Sequence, residues 1–117
     1  MENKKRIWAV VSTSFEGIHK YPDAPKSVSF LRHPHRHIFH LKIYIEQFHN
    51  DRDVEFIIFK RFVNKIIKDE DFPKSASCEM MSDFIYEEII KKYPERKIKI
   101  EIFEDQENGS QIEYEKK

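Results

Sequence analysis

Four of the six histidines in this 117-residue chain fall within eight positions, at His33, His35, His37 and His40 of the stretch RHPHRHIFHLKIYIEQ, residues 32–47. His35 and His37 stand two apart where apolar and polar residues alternate, so a strand projects both rings from one side. Residues at i and i+2 stand at nearly equal height above a sheet, and ring rotation brings both within the Zn–N distance of ~2.0–2.1 Å. A third nitrogen is expected from His19, which ends the segment SFEGIH and which an adjacent strand would bring beside the pair. Three histidines with one position left open are the donor set of a catalytic or ligand-binding zinc, not of a closed structural one. The same spacing also fits a polar, partly solvated strand entrance.

Two further features bear on that choice. In KIKIEIFE the residues Ile98, Ile100 and Ile102 share a face, and Glu104 falls on it, a carboxylate in phase with the core. Such an acid either reaches solvent at the strand's end or takes hydrogen bonds from the N–H edge of a ligand. Ser77, Cys78 and Glu79 stand at a helix start, where exposed backbone N–H groups and short polar side chains can hold a ligand. An ordinary N-cap explains Ser77 equally well.

The elements that position these residues follow from periodicity. RIWAVVSTSF reads as a strand, and DAPKSVSF, which contains Pro25 and follows Pro22, as a loop or a short hairpin arm. From His37 the period is two, with His37, Phe39, Leu41, Ile43 and Ile45 on one face and Arg36, Ile38, His40, Lys42, Tyr44 and Glu46 on the other. Phe56, Phe59, Phe62 or Val63, and Ile66 with Ile67 recur at helical steps. A second helix follows Pro73, capped at Ser77, carrying Met81, Phe84, Ile85 and Ile89, and stopped by Pro94. RKIKIEIFE is a strand, and NGS separates it from a last strand, QIEYE. The expected architecture is α+β in the order ββααββ, a four-stranded antiparallel sheet with two helices on one face, as one domain over residues 1–117.

Composition limits the partners. Twenty-one lysines and arginines against 21 acids leave a formal net charge of zero, so no long-range field favours nucleic acid or an anionic membrane. The single cysteine, Cys78, excludes an internal disulfide, and MENKKRIWAVVSTSF has too short an apolar run for a signal peptide or a membrane span. The chain is expected to be cytoplasmic.

Five segments in order resemble the 6-pyruvoyltetrahydropterin synthase and 6-carboxytetrahydropterin synthase family, whose members share the T-fold. SFEGIH is similar to the family's F-x-x-x-H segment, and HRHIFHLKIYI to its H-G-H strand. VEFIIFKRF is similar to the Asp-Phe-x-x-Leu-Lys stretch, with Glu55 for the aspartate, Phe59 for the leucine and Lys60 retained. SASCEMMSDFIYEEI resembles the P-T-x-E segment, with Ala76 for the proline, Ser77 for the threonine and Glu79 on the glutamate, and IEIFEDQ the strand whose glutamate grips the pterin. The resemblance implies Zn2+ on His19, His35 and His37, and a pterin or purine-like ligand on Ser77, Glu79 and Glu104. It also implies a homo-oligomer with its sites at subunit boundaries.

The departures fall on the acid–base machinery. The family's catalytic cysteine precedes the paired histidines by four residues, where this chain has Leu31, and its Asp-His pair has no histidine counterpart in KDEDFPKSA. Arg36 replaces the glycine between the two ligands. The catalytic base is unassigned, with His33, which shares the parity of His35 and His37, and Cys78, at a helix N-terminus that would favour a thiolate, as candidate stand-ins; Cys78 fits a small buried apolar residue more readily. His40 points to the other face. Three functions stay open: a zinc-dependent lyase acting on a dihydroneopterin triphosphate-like substrate, a zinc- and ligand-binding protein without turnover, and an interaction module on the same fold.

Overall fold

The computed structural model describes residues 4–115, apart from the side chain of His19. Strands β1 (Ile7–His19), β2 (His35–Gln47), β3 (Ile98–Glu104) and β4 (Asn108–Tyr114) form one antiparallel sheet in chain order. Helices α1 (Phe56–Ile67) and α2 (Cys78–Lys92) lie between β2 and β3 in sequence and pack on the sheet and on each other. The layout is the ββααββ arrangement expected.

Alternation decides which face is covered. Ala9 and Val11 of β1, Phe39, Leu41, Ile43 and Ile45 of β2, and Ile98, Ile100 and Ile102 of β3 are buried together with Phe59 and Val63 of α1 and Met81, Ile85 and Ile89 of α2. Phe56 lies outside this core at 59% exposure, because the buried stripe of α1 begins one turn later, at Phe59. Glu55 caps α1, its carboxylate accepting from the N–H groups of Ile57 and Ile58, and the Ser77 hydroxyl accepts from Met80 N–H at the start of α2.

Two connections differ from the sequence expectation. The segment after β1 is a kinked 3-10 stretch, Lys26–Arg32, whose ends are tied by Tyr21 N–H to Leu31 O at 2.7 Å and by the Arg32 guanidinium to Ala24 O. The β3–β4 turn sits at residues 105–107, not at NGS, which belongs to β4. Asp105 and Gln106 take positive φ, 51° and 63°, and Glu107 N–H closes the turn on Glu104 O at 2.9 Å. Gly109 serves close approach, since a Cβ there would stand 2.0 Å from Ile102 O.

Strand lengths create the setting for the histidines. β1 and β2 have 13 residues each and β3 only seven, pairing with β2 no further than Phe39 opposite Glu104. Residues 35–38 of β2 therefore continue past the end of β3, paired with β1 alone.

Candidate functional site

On that extension the register sets His19 opposite His35 and Gly17 opposite His37. Positions directly across an antiparallel pair are matched in phase, so the backbone register sets position 19 level with His35, two residues from the place opposite His37. The side chain of His19 lies outside the described residues. Among the described residues no group of three His, Cys, Asp or Glu is arranged to hold a metal.

The two described rings are held by their Nδ1 atoms. His35 Nδ1 is 2.8 Å from the carbonyl oxygen of His33, and His37 Nδ1 is 2.7 Å from Asp105 Oδ2. A carbonyl and a carboxylate accept, so each ring donates from Nδ1, and in its neutral form keeps the lone pair at Nε2. Both Nε2 atoms are buried, and the ring centroids are 4.7 Å apart at 87°. Outer partners of this kind, a backbone carbonyl and a carboxylate, are what orient metal-binding imidazoles. The donor chemistry fits zinc.

Phe39 lies under His37 with centroids 5.9 Å apart, and stacks on Phe15 at 5.3 Å. Gly17 makes room for this, because a Cβ there would come within 2.8 Å of Phe39 Cε2 and 3.0 Å of Lys74 O. Beside the rings, Glu104 Oε2 is 3.6 Å from His37 Nε2.

A cavity of about 590 Å³ opens next to this cluster, lined by His35, Ser77, Glu79 and Glu104 among others. Its size is within the ~300–1,000 Å³ usual for small-molecule sites. The first turn of α2 borders it through Ser77, Glu79 and Met80. Leu31 and Tyr21 supply apolar wall. Ser77 caps α2, the ordinary role expected of it, and also lines the cavity.

The candidate bases fare differently. Cys78 is buried, and burial, reinforced by the charges of Glu104 and Glu79, pushes its thiol up to about 11. These effects outweigh the helix N-terminus expected to favour a thiolate. The His33 ring is exposed, and its contribution to the cluster is the carbonyl that holds His35. Leu31 lines the cavity but carries no ionisable group. His40 lies on the opposite face, as expected, with Nδ1 3.5 Å from Gln106 Nε2.

Asp105 was not visible as a site residue from the sequence. Its contacts with residues 37 and 38 span 68 and 67 positions and depend on the left-handed turn after β3. The nearest signal was the acidic pair Glu104-Asp105 at a strand end.

No family model matches the chain, and no curated protein matches it. No helix among the described residues is long and apolar enough to cross a membrane.

Proposed function

We propose that the chain is a divergent relative of the pterin synthases that binds zinc through His19, His35 and His37 and a pterin or purine-like ring in the adjoining cavity. The observation that carries this reading is the pair of buried Nε2 atoms, each fixed by an Nδ1 partner, beside a cavity that Glu104 lines. Zinc, when bound, supplies Lewis-acid polarisation of a ligand oxygen. The carboxylate of Glu104 accepts N–H groups of the ring, while Ser77, Glu79 and the start of α2 border its polar rim.

Binding is favoured over lyase turnover by the state of the base positions. Leu31 has no proton to exchange, and burial pushes the Cys78 thiol up to about 11. Release of product from a dihydroneopterin triphosphate-like substrate by purified, zinc-loaded protein would overturn that preference.

A homo-oligomer belongs to the same reading. Strands β1 and β4 are the sheet's outer strands, and the face away from the helices exposes Val10, Ile18 and Ile38. Light scattering on a size-exclusion column is expected to give a mass several times that of one chain, and a monomer at micromolar concentration would remove the assembly. The test of binding itself is calorimetry with zinc and then neopterin. Heat of binding for both supports the proposal, and no zinc uptake overturns it.

A further inference from the structure

Resting on the zinc reading above, the geometry points to Asp105 as the positioning residue that fixes the His37 ring in its Nδ1–H form and aims Nε2 into the site. The side chain spans two groups of β2 at once. Oδ2 is 2.7 Å from His37 Nδ1, and Oδ1 accepts the N–H of Ile38 at 3.0 Å. The backbone joins in, with Asp105 N–H donating to Ile38 O at 2.8 Å. The acid is therefore clamped to the residue that follows His37 and to the His37 ring itself.

This clamp is needed where it occurs. Residues 35–38 extend beyond β3, so the ladder that holds the rest of β2 from that side is missing there. Asp105, the first residue past β3, substitutes for it. Its positive φ of 51° turns the chain back at this point, a conformation aspartate tolerates better than most residues. Losing an outer partner of a metal-binding imidazole weakens metal binding by ~10–100-fold. Asp105 is assigned no contact with zinc or ring ligand and acts through His37.

The test compares wild type, Asp105→Asn and Asp105→Ala. Asn keeps the tolerance for positive φ, so this variant preserves the turn while removing the carboxylate. In metal-free protein, nitrogen–proton correlation spectra of the imidazoles should show His37 as the Nδ1–H tautomer in wild type and a shift toward Nε2–H in Asp105→Ala, which offers the ring no acceptor. Zinc affinity, read by competition with a chromophoric chelator, should fall ~10-fold or more in Asp105→Asn. A purely structural role for Asp105 would lower the melting temperature and leave the tautomer unchanged. An unchanged tautomer in Asp105→Ala, or a wild-type zinc affinity in both variants, overturns the proposal. Failure of the wild type to take zinc would instead overturn the zinc reading and with it the purpose assigned to Asp105, while the spectra still decide whether Asp105 sets the His37 tautomer.

Discussion

Glu104 Oε2 lies 3.6 Å from His37 Nε2, so the acid in phase with the core of β3 meets the ring that β2 turns to the same face. A carboxylate and an imidazole lone pair are both acceptors, and their approach suits a cation or a ligand N–H beside them. That convergence gives Glu104 a place in the cavity as well as a place at the strand's end.

Glu104→Gln is expected to weaken binding of neopterin or a guanine analogue by ~2–4 kcal/mol, because one charge-assisted bond is lost and a donor then faces a donor. Zinc content should stay the same. Parallel calorimetry on the two proteins checks this, and equal affinities would show that Glu104 is only a strand end.

Cys78 should resist alkylation in the native state. A thiol pushed up to about 11 is almost wholly protonated at neutral pH, and the side chain is buried as well. Iodoacetamide at pH 7.5 should label it slowly in folded protein and quickly in denaturant. Rapid labelling of folded protein would restore Cys78 as a candidate base.

Gly17→Ala should destabilise the fold by ~1–3 kcal/mol, since the new methyl group overpacks against Phe39 and the backbone at Lys74. Chemical denaturation measures the loss. The displaced Phe39 ring is the floor of His37, so zinc affinity should drop along with stability.

Asp53 anchors the end of the sheet far from the site. Its carboxylate accepts from Arg96 at 2.8 Å and from Phe48 N–H at 2.7 Å, and the Arg96 bond, followed by that of Phe48, holds it down at about 2 against an ordinary 3.8. A lowered carboxylate stabilises the fold fully above the ordinary value, and this contribution is lost as pH falls from about 4 through about 2. Asp53→Asn should cost ~1.5–3 kcal/mol at neutral pH and flatten the stability profile across that acidic window. A profile as steep as wild type would locate the acid sensitivity elsewhere.

Much of this arrangement is legible in the sequence wherever a local period carries it. Alternation through Phe39, Leu41, Ile43 and Ile45 gives β2 its inward face, and the Ser77 cap and Pro94 stop bound the second helix closely. The same alternation carries Glu104 inward after three isoleucines. What local pattern does not hold are relations made by the turn and by long-range contacts. NGS looked like the β3–β4 turn because Asn-Gly is a strong turn signal, yet Asp105 and Gln106 take the left-handed conformation and Gly109 is needed for close backbone approach. The 3-10 stretch has no buried residue to give it a periodic signature. The Asp105–His37 contact exists only once β2 outruns β3.

Zinc content tests the central claim most directly. Protein purified without chelator and analysed by plasma emission spectrometry should carry close to one zinc per chain, and His37→Ala should carry almost none while keeping the wild-type circular dichroism spectrum. A wild-type protein that holds no zinc, even after incubation with the metal, would contradict the account.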